Sequence, residues 1–149
     1  MATSPGATTF SLTLERTLAA PPEKVFDAFT QAATLARWFS PSDEHTCTVP
    51  ECDARPGGRY RIEMRHSGGN VYVVIGVYEL VMRPTRLVFS FAWENLPERG
   101  HSRVTVSFEK AGAGTKLVIF QEQLPSAEMR EAHNAGWTGC LKKLTQLFE

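Results

Sequence analysis

From residue 45 to residue 124 the chain returns again and again to a period of two, and only after Pro125 does it settle into a helical period long enough to cover a sheet. That order is the strongest constraint on its fold. RYRIEM sets Tyr60, Ile62 and Met64 on one side and Arg59, Arg61 and Glu63 on the other. RLVFSFAW aligns Leu87, Phe89, Phe91 and Trp93; RVTVSF aligns Val104, Val106 and Phe108; TKLVIFQ aligns Leu117, Ile119 and Gln121. Alternation of this kind marks strands with one buried face. The breaks at SGGN, RPT, NLPERG and AGAG carry the residues that turn a chain between antiparallel neighbours. HTCTVPEC, residues 45–52, is a weaker strand, and in VYVVIGVYELV Gly76 marks a bulge or a bend.

A sheet with an apolar face must be covered. Steps of three and four from Met129 give His133, Trp137, Cys140, Leu141, Leu144 and Phe148, the stripe of an amphipathic helix. Ser126 is suited to cap it, with Glu128 and Glu131 near its positive end. Gly136 and Gly139 each cost this helix about 0.5–1 kcal/mol relative to alanine, so the sequence predicts a close approach of backbone, strand or ligand there. Before the sheet proper, FSLTLERTL reads as a strand, PPEKVFDAFT as a short helix and LARWFSP as a second short helix or turn. Strand, two short helices, about six further strands and one long helix make an α+β arrangement. A single glycine-bearing helix across a curved sheet does not fill the space beneath it, and a cavity is expected.

Among the 149 residues, 16 basic and 16 acidic side chains balance, which offers no overall attraction for nucleic acid or an anionic membrane. The opening MATSPGATTF has neither a basic leader nor an apolar run, and no stretch reaches the roughly 18 consecutive apolar residues of a membrane span. A cytoplasmic protein is the expectation, with a loose leader over residues 1–8 and one domain over 9–149. Its three cysteines, Cys47, Cys52 and Cys140, fit a reducing compartment. His45, Cys47 and Cys52 fall close together, yet their spacing matches no paired Cys-x-x-Cys pattern and no fourth ligand is evident, so no metal is expected. Neither a Gly-x-Ser-x-Gly elbow nor a phosphate-binding glycine loop nor His-Glu-x-x-His is present, and no cofactor is expected.

The stretches APPEKVFDAFT, ARWFSP, RPGGRYRI, GVYELV with RPTRLVFSFAW, VTVSFEKAGAGTKLVI, and HNAGW followed by LKKL run in order through nearly the whole chain from about residue 10. In their order and spacing they resemble the helix-grip fold of the START-like (SRPBCC), birch-pollen-allergen-like superfamily. Within it they are most similar to the bacterial branch related to the C-terminal domain of the heat-shock-protein-90 ATPase activator. The resemblance implies a curved antiparallel sheet of six to seven strands around the C-terminal helix, enclosing an apolar pocket. Many relatives carry an acidic residue where Leu80 stands here; Glu79 lies one place earlier, on the opposite face of a regular strand.

Function has to be read from the site. Aromatic residues supply most of the expected pocket: Trp38 and Phe39 in the second short helix or turn, Tyr60 and Tyr72 on adjacent strands, Phe89, Phe91 and Trp93 on one strand, Phe108 and Trp137 beyond. Ile62, Met64, Val106, Ile119, Met129 and Leu141 complete the apolar lining. His133 and Gln121 are its polar members, able to orient a carbonyl or phenol. The leading expectation is a binder of a hydrophobic, flat or aromatic small molecule. One rival is a cyclase or dehydratase with His133 as its proton carrier; another is a stress-response co-chaperone acting on an Hsp90-type ATPase. Monomer and homodimer both remain open.

Overall fold

The computed structural model describes residues 9–149, so the expected leader over 1–8 lies outside the described residues. Strand β1 (Phe10–Leu18) leads into helices α1 (Pro22–Thr30) and α2 (Ala32–Trp38). Six strands follow: β2 (His45–Cys52), β3 (Arg59–His66), β4 (Val71–Met82), β5 (Arg86–Trp93), β6 (His101–Ala111) and β7 (Gly114–Leu124). A 3-10 turn, Pro97–Arg99, stands between β5 and β6, and α3 (Ala127–Leu147) closes the chain. All seven strands form one antiparallel sheet in the order β1-β7-β6-β5-β4-β3-β2, so every neighbour is a hairpin partner except β1, which returns to pair with β7. This is the helix-grip arrangement. Among the described residues no helix is long and apolar enough to cross a membrane.

The alternation read from the sequence decides which side chains face inward. Tyr60, Ile62 and Met64 are buried on β3; Leu87, Phe89 and Phe91 on β5; Val104, Val106 and Phe108 on β6; Leu117, Ile119 and Gln121 on β7. Each apolar side chain fully buried in this way contributes about 1.5–3 kcal/mol of transfer free energy. Phe26 and Phe29 of α1 plug one end of the sheet, with ring centroids 5.1 and 5.4 Å from Phe108.

Strand β4 departs from the expected parity. Tyr78 pairs with Phe89 but Leu80 pairs with Val88, so the bulge falls at Glu79, three residues beyond Gly76. The inward phase flips there. Val81, opposite Leu87, packs on the core, and Leu80 does not share the face of Tyr78 as a regular strand would require. Glu79 points away from the core and pairs with Arg103 at 3.0 Å. Gly76 instead answers to a close approach: a Cβ there would lie 2.0 Å from the Ser90 carbonyl oxygen and 2.5 Å from the Tyr60 ring. The missing side chain lets the Tyr60 phenol cross to donate to Ser90 O at 2.6 Å.

Helix α3 is capped as expected, Ser126 Oγ accepting from the Met129 N–H at 3.0 Å. It leans on β1, β7 and α2. Its two glycines prove unlike. A Cβ on Gly139 would sit 1.9 Å from the carbonyl oxygen of Pro41, so the segment after α2 packs directly on helix backbone, while a Cβ on Gly136 would meet no atom within 4 Å. The helix is thus drawn tight at Gly139 and stands clear of the sheet one turn earlier.

Candidate functional site

That stand-off opens a cleft of about 440 Å³ between the N-terminal half of α3 and the β2–β5 side of the sheet. Its walls are aromatic. Phe91 and Trp93 rise from β5, their rings 5.5 Å apart and nearly perpendicular, and Tyr72 on β4 meets Trp93 edge-on at 6.3 Å. Trp137 of α3 faces Phe39 at 5.6 Å. Met64 and His45 complete the sheet side, and Ala132, Ala135, Gly136 and Cys140 leave the helix side shallow. Pro41 and Arg99 lie at its edges.

Trp137 is held by a chain of buried hydrogen bonds. Its indole N–H donates to Gln121 Oε1 at 2.8 Å, Gln121 Nε2 donates to Ser102 Oγ at 2.8 Å, and Ser102 Oγ reaches the Phe91 carbonyl at 3.5 Å. Gln121 is fully buried and spends both ends of its amide on protein. It positions a wall of the cleft and does not line it.

His133 is the polar group of the helix wall. The Trp93 indole, which can only donate, reaches His133 Nε2 at 3.4 Å. That bond fixes the neutral tautomer with its proton on Nδ1. Burial first, and the Arg99 charge second, lower the His133 pKa to about 4, so the ring is neutral at pH 7. Nδ1 has no partner among the described residues, where every buried polar side-chain atom has one, so this N–H is open to solvent. One of the residues lining the cleft thus carries a ring N–H that no protein group among the described residues accepts.

At the opposite end, Ser42 Oγ and His45 Nδ1 lie 2.7 Å apart, and Lys143 Nζ donates to Ser40 Oγ at 2.5 Å and to Ser42 O at 2.7 Å. Burial, with His66 and Lys143 nearby, lowers the His45 pKa. Burial raises the thiols of Cys47 to about 11 and Cys140 to about 12, so both remain protonated at neutral pH. Cys52 lies 3.3 Å from Thr30 O and 3.4 Å from Tyr78 Oη, turned into that corner of the core. Among the described residues no three metal-capable side chains converge.

Of the residues expected to line the pocket, Phe39, Met64, Tyr72, Phe91, Trp93, His133 and Trp137 meet around the cleft. The others lie elsewhere. Tyr60, Ile62 and Phe89 are covered within the sheet's concave face, as are Val106, Phe108 and Ile119; all are buried in the core, where Phe26 and Phe29 of α1 pack on Phe108. Trp38 is wholly buried against Phe29, its indole N–H donating to Ala28 O at 2.9 Å. Leu141 sits in the core past Gly139, and Met129 is half-buried outside the lining. Pro41, His45, Arg99, Ala132, Ala135 and Cys140 were not expected there, whereas Gly136 is a point where the sequence predicts a close approach of backbone, strand or ligand. For the helix the signal was present, since AHNAG clusters small residues around His133. For Arg99, in a loop after β5, the sequence held none.

The profile of the family described as Activator of Hsp90 ATPase homolog 1-like protein matches residues 19–149. Among solved structures, protein CV1439 from Chromobacterium violaceum is 32% identical, with 93% of this chain and 96% of that one covered and a TM-score of 0.86. The AHSA1 protein from Silicibacter pomeroyi is 28% identical over 92% of this chain and 96% of its own, at a TM-score of 0.80. CalU16 from Micromonospora echinospora, 23% identical with 93% of this chain and 76% of that one covered, shares the fold at a TM-score of 0.69. No curated protein matches the sequence significantly. With the profile spanning all but the first strand and the leader, the chain belongs to the family of Activator of Hsp90 ATPase homolog 1-like proteins.

Proposed function

We propose that the protein binds a flat, hydrophobic small molecule in the cleft between β2–β5 and α3. The observation that carries this reading is the open space facing Gly136, walled by Phe91, Trp93 and Trp137 and furnished with the Nδ1–H of His133. A volume of about 440 Å³ is within the range of small-molecule sites, and aromatic walls with one or two polar groups are their usual make-up. Trp137 arrives already locked by Gln121, which lowers the ordering cost of binding. Native mass spectrometry of freshly purified protein is expected to reveal a co-purifying small molecule, and a thermal-shift screen of aromatic metabolites to give stabilisation. Gly136→Leu places a side chain in the open space without disturbing a buried contact. Loss of the shift in that variant supports the cleft as the site; a folded wild-type protein that retains nothing and responds to nothing refutes the reading.

The family description supports a second reading, a co-chaperone that stimulates an Hsp90-type ATPase. Retention of the chaperone in a pull-down together with a raised ATPase rate would favour it over ligand binding. The enzymatic alternative draws on the same His133, and turnover of an enolisable aromatic ketone that vanishes in His133→Gln would establish it.

A further inference from the structure

The cleft is apolar in its walls but not in its electrostatics. Its lining holds one permanent cation, Arg99, and no carboxylate. The Arg99 guanidinium rests over the Trp93 ring, its Cζ 5.5 Å from the centroid, while His133 lies on the same indole at 5.9 Å. Arg99 is half-buried and makes no ion pair among the described residues, whereas Arg61 and Arg103 on the neighbouring sheet surface are each matched with glutamates. Its sequence neighbour Glu98 is exposed and does not line the cleft. At the far end, Lys143 is held by Ser40 and Ser42 oxygens and likewise has no carboxylate partner among the described residues. Glu44, beside His45, is engaged by His66 at 2.9 Å. Arg99 is thus the one permanent cation in the lining of an aromatic slot, and it has no counter-charge among the described residues. Stacking on Trp93 holds the guanidinium in place without neutralising it, which leaves its N–H groups available to an oxyanion.

We propose that the ligand is an amphipathic anion, an aromatic or fused-ring body between Trp93 and Trp137 carrying a carboxylate that Arg99 receives, with His133 Nδ1–H as the second donor. The inference rests on the ligand-binding reading above and narrows its chemical class. A charge-assisted pair at a partly desolvated edge favours the anion over an uncharged isostere by about 10-fold.

The test compares 1-pyrenebutyrate with its uncharged amide, titrated at pH 7 and followed by pyrene and tryptophan fluorescence. In the wild-type protein the carboxylate is expected to bind about 10-fold more tightly than the amide, and the preference to fade as salt is raised. In Arg99→Gln that ratio should collapse toward one, and Arg99→Lys should restore part of it. Gly136→Leu should weaken both probes, placing them in the cleft. If both probes bind there and their ratio ignores Arg99→Gln, the anion inference fails while the ligand-binding reading stands. Should neither probe bind, or binding be indifferent to Gly136→Leu, the reading beneath it fails as well.

Discussion

Gly136 and Gly139 lie three residues apart in one helix, and replacing each by alanine should move stability in opposite directions. The intrinsic term is the same: a helix-interior alanine is favoured over glycine by about 0.5–1 kcal/mol. At Gly136 the new methyl meets no atom within 4 Å, so that gain is realised whole and Tm should rise by about 2–4 °C. At Gly139 the methyl would stand 1.9 Å from Pro41 O and 2.7 Å from Pro41 C, well inside van der Waals contact with backbone that has no rotamer to change. The segment after α2 must withdraw by more than an ångström, pulling Ser40 and Ser42 from Lys143. Overpacking of this kind costs about 1–3 kcal/mol, more than the helix term returns. Urea unfolding of both variants at pH 7, followed by far-UV circular dichroism, should therefore separate them by about 2 kcal/mol, with wild type between. Equal stability of the two variants, or Gly139→Ala above wild type, would refute the account of how α3 is seated and why the cleft opens.

Acid should act on His133 in a defined window. Its folded pKa of about 4 lies below the unfolded value near 6.5, so the unfolded chain binds the extra proton and stability falls as pH drops between those values. Compared with His133→Gln, the wild-type protein should lose about 2 kcal/mol more between pH 7 and pH 4.5 by urea titration; parallel pH profiles would show that the ring is not held neutral. Gln121→Leu strips partners from the Trp137 indole and from Ser102 at once, and should destabilise by about 2–3 kcal/mol while loosening the cleft wall, seen as a change in tryptophan fluorescence. An unchanged emission spectrum would detach Gln121 from the site.

Strands, helices and inward faces were legible because each rests on local rules: period two for β3 and β5–β7, period 3.6 for α3, a serine cap, a proline-opened α1. The parity of β4 was not, because a bulge is set by how Tyr78 and Leu80 find partners on β5, and nothing within β4 itself marks Glu79 over Gly76. The site divides the same way. His133 and Trp137 could be found from their helical stripe, but Gln121 turned out to serve Trp137 instead of a ligand, and Arg99 reached the cleft from a turn with no pattern of its own.

The sequence by itself thus determined that a curved antiparallel sheet would meet one long helix bearing a histidine among aromatic and small residues. Only the tertiary structure decided where the two part company. Two glycines with identical local chemistry became a tight seam at Pro41 and an open wall at Gly136, because what a missing side chain does depends on which atoms the rest of the chain brings to that point in space.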